Sequence, residues 1–295
     1  MYKVWLGPAS THLAEALAQY PDIVQLKSSL RFFPDGESCI KLEEENISNA
    51  DIIIIQNTCP PQDENLRHLF QMIDVLKFNQ AKSITCIVPY LAYSRQDRRT
   101  HSGEPFSVEI VLKILDMLGV DTLITFELHN ANMRTNTRLN IVNISTDQLF
   151  IKWIQELDSE HTILVCPDKG SQPRIQKLAD RSGLPFIALN KCKDRDGTTW
   201  YEQELEIEGD NKTAIIVDDL CSSGSTLIPL CQHLKKSGVA RIRYGVTHFF
   251  ANPAYLRDQI NMDFEVYCTD TIPSEASTVS ISSLIYSFIT EKEGF

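Results

Sequence analysis

Short apolar runs rich in β-branched residues alternate with segments of helical periodicity along the whole chain. Runs such as DIIIIQ at 51–56 and TAIIVDD at 213–219 are apolar on both faces, which predicts strands buried within parallel sheets. The predicted strands cover residues 3–6, 23–26, 38–42, 51–56, 83–88, 122–126, 162–166, 186–189, 214–217, 241–246 and 264–269. The predicted helices cover residues 12–19, 65–77, 107–118, 147–157, 174–181, 227–236 and 282–290. This alternation predicts α/β layers with right-handed crossovers, in which ligands bind at the carboxyl ends of the strands.

The length of the chain, 295 residues, suits two domains of roughly 150 residues each. The pattern is weakest in the polar segment 130–143, so we place a domain boundary near residue 145. Each half contains a strand–loop–helix series of similar length, which is compatible with an old duplication. We therefore predict an N-terminal domain, 1–145, and a C-terminal domain, 146–295, whose last helix can pack back on the first domain.

Composition narrows the class of protein. Apolar residues make up 43% of the chain and charged residues 23%, which is ordinary for a globular enzyme. The formal net charge of -11 disfavours non-specific binding to nucleic acid or membranes, but it leaves room for a local basic site. The eight cysteines form no CxxC pair and no zinc-type spacing, as is usual in a reducing compartment. With no signal-peptide pattern and no long apolar run, we expect a cytoplasmic enzyme without nucleic-acid or membrane partners.

The segment 214–227, AIIVDDLCSSGSTL, carries the strongest chemical signal. Asp218 and Asp219 follow an apolar run, and a small polar loop then leads into a helical pattern. The loop consists of Ser222, Ser223, Gly224, Ser225 and Thr226. Free backbone N–H groups and the helix dipole would bind a phosphate there, while the carboxylates could accept hydrogen bonds from ribose hydroxyls, directly or through a metal. A helix cap beside a plain connector would give a similar pattern, but we favour a sugar-phosphate site, because the segment also resembles the ribose-phosphate fingerprint of type I phosphoribosyltransferases.

Two further motifs suit a nucleotide. Arg95, Gln96 and Asp97 follow a predicted strand within PYLAYSRQDRR, where arginines suit phosphate oxygens and the amide or carboxylate can read a base edge. A solvated charged loop is the alternative. In RFFPDGES at 31–38 the Pro-Asp-Gly sequence predicts a turn, and an exposed Phe33 could stack on an adenine ring, although the motif can equally be only a turn.

Two strand ends carry candidate metal ligands. His129 lies in FELHN, and it is either a metal ligand or a histidine held by ordinary hydrogen bonds. Asp168 lies in CPDKG, at the predicted carboxyl end of the first strand of the second half, where an aspartate also commonly caps a helix.

Taken together and in this order, the motifs RFFPDGES, PYLAYSRQDRR, ELHN, PDKG and VDDLCSSGST resemble the ribose-phosphate diphosphokinase family, which makes phosphoribosyl pyrophosphate. The resemblance runs from about residue 2 to the C-terminus and includes TDTIP at 269–273. It implies an α/β protein with two phosphoribosyltransferase-like domains, each a mostly parallel sheet flanked by helices. The implied reaction is Mg²⁺-dependent transfer of the β,γ-diphosphate of ATP to the 1-hydroxyl of ribose 5-phosphate, releasing AMP. Dimers built into larger homo-oligomers are also implied.

The resemblance assigns roles to particular residues. Adenine would be held by Phe33, Asp35 and Glu37, partly across a subunit interface. The base and polyphosphate would be held by Arg95, Gln96 and Asp97. Magnesium would be positioned by His129 and Asp168. The ribose hydroxyls would bind Asp218 and Asp219, and the 5-phosphate would bind the loop Ser222–Thr226.

A cationic arm at 189–200 is implied to close over the transferring phosphate. Family members carry a lysine, one spacer and an arginine in this arm, and Lys191 matches the lysine. Lys193 stands where arginine is expected, and it keeps the charge without the bidentate geometry of a guanidinium. We interpret Lys191 and Lys193 as catalytic, with Arg195 as a nearby substitute for the missing arginine.

Two departures from the family pattern lie on the acceptor side. Lys169 adds a positive charge in PDKG, and the phosphate loop reads S-S-G-S-T instead of the commoner S-T-G-G-T. The leading hypothesis remains a ribose-5-phosphate diphosphokinase. One alternative is transfer to another ribose phosphate, such as ADP-ribose, and a second is a catalytically weak regulatory paralogue. A phosphoribosyltransferase that consumes the product is disfavoured by the PDG and RQD motifs.

Overall fold

In the computed structural model, which describes residues 1–44, 46–130, 133, 135–193, 199–201 and 212–291, the chain divides into two units. At residues 193 and 199 only the backbone is described. The first unit comprises Met1–Ser145, Thr271–Pro273 and Ser280–Phe295, and the second comprises Thr146–Asp270 and Ser274–Val279. Each unit is built on one parallel sheet of six strands with helices beside it, which confirms the predicted fold class.

The strands and helices are numbered here in chain order. The strands are β1 (Tyr2–Leu6), β2 (Ile23–Gln25), β3 (Ser28–Phe32), β4 (Ser38–Leu42), β5 (Asp51–Ile55), β6 (Ser83–Val88), β7 (Thr122–Phe126), β8 (Asn140–Ile144), β9 (Thr162–Cys166), β10 (Phe186–Ala188), β11 (Lys191–Lys193), β12 (Thr199–Tyr201), β13 (Thr213–Cys221), β14 (Arg241–Phe249), β15 (Asp263–Thr269) and β16 (Ser277–Val279). The helices are α1 (Ala14–Ala18), α2 (Gln62–Phe78), α3 (Ser107–Met117), α4 (Asp147–Gln155), α5 (Gln172–Ser182), α6 (Leu227–Lys236), α7 (Pro253–Ile260) and α8 (Ser282–Glu291), and a 3-10 helix at Pro8–Leu13 precedes α1.

Both units use one strand order. The sheets read β2-β1-β5-β6-β7-β8 and β10-β9-β13-β14-β15-β16, and every neighbouring pair in them is parallel. In each unit an antiparallel hairpin, β3–β4 or β11–β12, lies in the chain between the second and third strands of the sheet. The strand order reverses between β1 and β5 in the first unit and between β9 and β13 in the second. Such a reversal opens a crevice at the carboxyl ends of the two strands.

Strand β13 shows why continuous apolar runs predicted these sheets correctly. Ile216 packs into the cluster that contains Leu230 and Leu234 of α6, whereas its neighbour Ile215 packs with Phe150 of α4 and Leu178 of α5. Since successive side chains of a strand point to opposite faces, a strand covered by helices on both faces must be apolar throughout.

The prediction missed the short strands β3, β11, β12 and β16, and three further differences have a clear physical reason. Strand β13 runs on to Cys221, because β14 continues beside it and pairs Asp218 with Val246 and Cys221 with Phe249. Strand β8 lies in the segment interpreted as polar and irregular; it pairs with β7 at the sheet edge, so it needs little apolar surface. Helix α7 was missed, although Asn252 caps it by accepting hydrogen bonds from two backbone N–H groups just after an Asn-Pro step.

The crevice of the first unit is occupied by its own polar groups. Ser10 Oγ accepts a hydrogen bond from the Asn57 amide at 2.8 Å, and Gln56 Oε1 accepts one from the Ala9 amide at 3.2 Å. Asn57 Nδ2 donates to the carbonyl of Thr271, from the segment that returns to this unit. Gln56, Asn57 and Ser10 are fully buried. A ligand at this strand reversal would have to displace bonds that the fold already makes.

The C-terminal helix α8 belongs to the first unit. The ring of Tyr286 stacks on that of Tyr20 with centroids 4.0 Å apart, and its hydroxyl donates to Asp22 at 3.3 Å.

Among the residues that the structure describes, no helix combines the length and the apolar character needed to cross a membrane.

We predict that Gly7→Ala destabilises the first unit. Gly7 has φ -79° and ψ 167°, a conformation open to any residue, so backbone strain plays no part. A Cβ at this position would lie 2.1 Å from Gln56 Oε1 and 2.9 Å from Met72 Sδ, and overpacking of this kind costs about 1–3 kcal/mol. Urea unfolding should therefore show a lower free energy of unfolding, and an unchanged or higher value would contradict the packing argument.

Candidate active site

Three carboxylates lie at the carboxyl ends of the strands that flank the reversal in the second unit. Asp168 follows the end of β9 by two residues, and Asp218 and Asp219 lie in β13, next to β9 in the sheet. The ladder between these strands ends at the pair Ile216 and Val165, so the acidic residues lie just beyond it, on the open side. The parallel arrangement thus gathers carboxylates that are about 50 residues apart in the sequence at one edge.

Asp218 has an unusual environment. Its Oδ1 accepts a hydrogen bond from the Asp219 amide at 2.9 Å, and its Oδ2 lies 3.4 Å from the hydroxyl of Tyr244 on β14. Burial, followed by the neighbouring charge of Asp219, raises the pKa of Asp218 to about 7. Burial also raises the pKa of Tyr244 well above its ordinary value, so its hydroxyl stays protonated and can donate. Asp218 therefore changes between proton donor and acceptor close to neutral pH, which suits contact with sugar hydroxyls.

Tyr244 was not singled out from the sequence. It is fully buried in RIRYGV, where it reads as one more apolar strand residue. A tyrosine in a fully buried strand position needs a partner for its hydroxyl, and that requirement is the signal that could have found it.

The loop after β13 has the form of an anion cradle. Ser222, Ser223 and Ser225 are exposed, and α6 begins at Leu227 directly after the loop. Gly224 is buried with φ +81°, and a Cβ there would lie 2.3 Å from Leu256 Cδ2, so only glycine fits. The loop therefore presents hydroxyls and the N-terminus of a ten-residue helix to solvent, as phosphate binding requires.

The hairpin β11–β12 places Lys191 beside the carboxylates. Lys191 Nζ lies 3.5 Å from Asp168 Oδ2, and its side chain is only 16% exposed. Opposite Lys191 in the hairpin register is Tyr201, whose ring is buried in the core of the unit. Lys193 lies in β11, but its side chain falls outside the description, and Arg195 lies outside the described residues altogether.

In the first unit, the loops after β6 and β7 are joined by a side-chain contact. Asn130 Nδ2 donates to Asp97 Oδ2 at 2.8 Å, which links SRQDRR to the turn that carries the exposed His129. Arg95 and Gln96 are exposed, and Gln96 Oε1 accepts a hydrogen bond from Ser107 at 2.5 Å. The predicted nucleotide residues of this motif thus lie at the carboxyl edge of the sheet, near a candidate metal ligand.

The tip of hairpin β3–β4 is a tight turn with an exposed ring. The Phe33 amide donates to the Glu37 carbonyl at 2.7 Å, and the Glu37 amide donates to Asp35 Oδ1 at 3.1 Å. The Arg31 guanidinium lies 4.9 Å from the centroid of the Phe33 ring, which is 41% exposed. One face of this ring is therefore covered by a cation, while the side chain keeps surface for a planar ligand.

The comparisons with known proteins cover both units. A family model described as the N-terminal domain of ribose phosphate pyrophosphokinase matches residues 2–119, and a phosphoribosyl transferase domain model matches residues 140–281. Ribose-phosphate pyrophosphokinase from Thermosipho africanus is 31% identical, over 96% of this chain and 92% of its own. The Pyrococcus abyssi protein of the same name is 32% identical, over 98% of each chain. The crystal structure of phosphoribosylpyrophosphate synthetase from Mycobacterium smegmatis superposes with a TM-score of 0.86 at 26% identity, over the full length of both chains.

We predict a pH-dependent effect of Asp218→Asn on stability. Because the folded pKa of Asp218 is raised, the stability linked to its proton is complete at low pH and is lost as the pH rises through about 7. The variant should lack this loss, so its free energy of unfolding relative to the parent should rise by about 1–3 kcal/mol between about pH 5 and about pH 8.5. Urea unfolding at the two pH values measures the difference, and a difference that does not change with pH would refute the assigned cause.

Proposed function

Because the chain belongs to the ribose-phosphate pyrophosphokinase family, we propose that it transfers the β,γ-diphosphate of ATP to the 1-hydroxyl of ribose 5-phosphate. In this reaction the sugar hydroxyl gives its proton to solvent and its oxygen bonds to the β-phosphorus, while the bond from that phosphorus to the α-phosphate oxygen breaks and AMP leaves. The observation that carries the proposal is the pairing of Asp218 and Asp219 with a phosphate-type loop at the strand reversal of the second unit.

The acceptor is proposed to bind along β13 and the loop that follows. The 5-phosphate would accept hydrogen bonds from the backbone and hydroxyls of Ser222–Thr226, and the ribose hydroxyls would contact Asp218 and Asp219. Tyr244 supports this assignment, because a donor at 3.4 Å from Asp218 Oδ2 favours one orientation of that carboxylate. The geometry of the acidic pair would therefore exist before the sugar arrives, which lowers the entropic cost of orienting it.

The donor nucleotide is proposed to bind at the carboxyl edge of the first sheet. Phe33, Asp35 and Glu37 would hold adenine, and Arg95, Gln96 and Asp97 would hold the base and the polyphosphate. The exposed ring of Phe33 supports the first assignment, and the exposed side chain of Arg95 supports the second.

Magnesium is the proposed cofactor, and the carboxylate of Asp168 is the donor that fits it best. Mg²⁺ prefers oxygen ligands and usually takes one or two carboxylates together with substrate phosphates and water. Asp168 offers a partly exposed carboxylate at a strand end, and His129 lies exposed at the end of β7. Within the described ranges, no three His, Cys, Asp or Glu side chains form a closed metal cage. The bound ion would supply charge neutralisation on the phosphate oxygens.

Lys191 is proposed as the catalytic cation. Phosphoryl transfer depends on positioning and on stabilising the charge that develops on the phosphate oxygens. An ammonium group that is largely buried from water can stabilise this charge. In the ligand-free chain its charge is balanced by Asp168 at 3.5 Å. In the transition state the transferring diphosphate would replace that carboxylate as the partner of Lys191, so the contact stabilises the reaction rather than the binding of ATP. Lys193 is proposed to add a second positive charge.

The assembly and the compartment are also proposals. The resemblance supports a homo-oligomer in which a second copy completes the adenine site. All eight cysteines lie in described segments and none of them forms a disulfide, which supports the reducing cytoplasm as the working compartment.

An assay of AMP release from magnesium-ATP tests the function directly. Ribose 5-phosphate and ADP-ribose are offered in parallel, and the products are identified by mass. We expect turnover with ribose 5-phosphate and formation of phosphoribosyl pyrophosphate. Turnover with ADP-ribose alone would favour the alternative acceptor, to which Lys169 and the S-S-G-S-T loop would then be adaptations. Absence of turnover with both would favour the regulatory paralogue.

We predict that Lys191→Ala lowers turnover by about 10²–10³-fold. Because Lys191 contacts the second-unit carboxylate Asp168 rather than the proposed adenine site, the dissociation constant for ATP should change by no more than about twofold. Single-turnover kinetics and calorimetric ATP titration separate the two effects. Lys82→Ala is the control. Lys82 also pairs with an aspartate, Asp51, at 3.3 Å, but it lies in the first unit, directly before the amino end of β6. Equal losses of turnover and ATP binding would contradict the catalytic role.

A further inference from the structure

A buried tyrosine of the hairpin β11–β12 carries a hydroxyl that the fold does not use. Tyr201 is 8% exposed, and its ring packs into the cluster that contains Leu230 and Leu234 of α6. Its hydroxyl oxygen is buried and has no hydrogen-bond partner among the described residues. A phenylalanine would fill the same space without the cost of an unsatisfied hydroxyl, so packing alone does not account for a tyrosine here.

The neighbouring histidine does not satisfy this hydroxyl. The ring of His233 on α6 lies 5.4 Å from the ring of Tyr201, measured between their centroids. His233 Nε2 is itself buried without a partner in the described part of the chain, so the two side chains are not hydrogen-bonded to each other. A ligand oxygen would give the Tyr201 hydroxyl the partner that the surrounding side chains do not provide.

The hairpin register places Tyr201 beside the proposed catalytic lysine. Tyr201 lies directly opposite Lys191 in the antiparallel pair of strands. Directly opposed side chains project from the same face of a hairpin, with their Cβ atoms about 5 Å apart. The next pair, Cys192 and Trp200, projects from the other face, and Trp200 is accordingly 42% exposed. Lys191 and Tyr201 therefore extend together from the inner face of the hairpin.

The carboxylates of the candidate site act on both of these side chains. Lys191 Nζ lies 3.5 Å from Asp168 Oδ2. Burial, followed by the neighbouring charge of Asp168, raises the pKa of Tyr201, and the charge of Asp218 adds to this effect. The hydroxyl therefore stays protonated, and its proton is available to an oxygen that bears negative charge.

We propose that Tyr201 is a second hydrogen-bond donor to the transferring diphosphate, acting beside Lys191. The hydroxyl would donate to one diphosphate oxygen while the ammonium group of Lys191 pairs with another. The inference rests on the proposed function, because it takes Lys191 to meet the diphosphate in the transition state.

The two groups would contribute in different ways. The ammonium group of a lysine is a point charge on a flexible stem, so it attracts a phosphate without fixing its orientation. The Tyr201 ring is held in the core, so its hydroxyl offers a hydrogen bond of fixed direction. A donor that is already in place costs no reorganisation when charge develops on the phosphate oxygens. Since the hydroxyl gives up no protein partner when the ligand arrives, its whole hydrogen bond stabilises the diphosphate.

The test is Tyr201→Phe, which keeps the ring and removes the hydroxyl. Calorimetric titration with inorganic diphosphate and Mg²⁺ measures binding of this group without a nucleotide and without a reaction. We expect the dissociation constant for diphosphate to rise by about tenfold and kcat with ribose 5-phosphate to fall by about tenfold. The dissociation constant for ATP should change by no more than about twofold, because the contact is made in the transition state.

The stability of the variant separates this role from a structural one. Since the hydroxyl has no partner in the ligand-free chain, its removal should leave the midpoint of urea unfolding unchanged or raise it. Tyr267→Phe is the control. Tyr267 is a partly buried tyrosine of β15 in the same unit, and its ring stacks on Trp153 with centroids 4.6 Å apart. This control should alter neither diphosphate binding nor turnover.

An unchanged dissociation constant for diphosphate in Tyr201→Phe would overturn the inference. A lower urea midpoint with equal losses of diphosphate and ATP binding would do the same, because it would show that the hydroxyl serves the fold. A parent protein that binds diphosphate but turns over no ribose 5-phosphate would refute the proposed reaction, while the diphosphate affinity of Tyr201→Phe would still decide the role of the hydroxyl. A parent protein that turns over ribose 5-phosphate but binds no diphosphate would refute the inference alone.

Discussion

The parallel pairing of strands is the constraint on which the rest of the structure depends. It sends every strand of a sheet towards one edge, so residues distant in sequence meet where the strands end. Reversal of strand order between β9 and β13 leaves a crevice at that edge, and Asp168 and Asp218 lie on its two sides. The length of β13 then matters, because its last five residues extend beyond the β9 ladder and carry both acidic residues to the edge of the sheet.

The two units share this strand order but differ in the side chains that line the crevice. In the first, amide and hydroxyl side chains of Gln56, Asn57 and Ser10 close the crevice with hydrogen bonds of their own. In the second, carboxylates occupy the corresponding strand end, and like charges cannot satisfy one another in that way. Burial, followed by the neighbouring charge of Asp219, accordingly raises the pKa of Asp218. A crevice lined by neutral, mutually bonded groups becomes core, whereas one lined by carboxylates and a glycine-dependent loop remains available to a ligand.

The sequence predicted the elements that depend on burial and missed those that depend on partners. β-Branched runs such as 51–55 and 162–166 were identified because both faces of those strands are covered by helices. Strand β8 was missed because it lies at the sheet edge, where backbone pairing with β7 stabilises it without a continuous apolar run. The motif at 218–226 predicted a sugar-phosphate site, and the structure places its acidic pair in β13 directly before the exposed loop. The binding role of these residues stays a prediction. Tyr244 was missed because a buried tyrosine in an apolar strand signals only that its hydroxyl needs a partner, and the partner, Asp218, is identified only when the two are seen in contact.

Both hairpins are inserted at the same point of the chain order: β3–β4 lies between β2 and β5, and β11–β12 lies between β10 and β13. The chain must cross from one side of the first strand to the other at this point, so an excursion here breaks no ladder and interrupts no helix. The hairpin tips are therefore modular: their length and chemistry can be exchanged while the two sheets keep every register. The same strand order thus carries a Phe-Pro-Asp-Gly turn in the first unit and a lysine-bearing hairpin in the second, each inserted at the same point between two strands of the sheet.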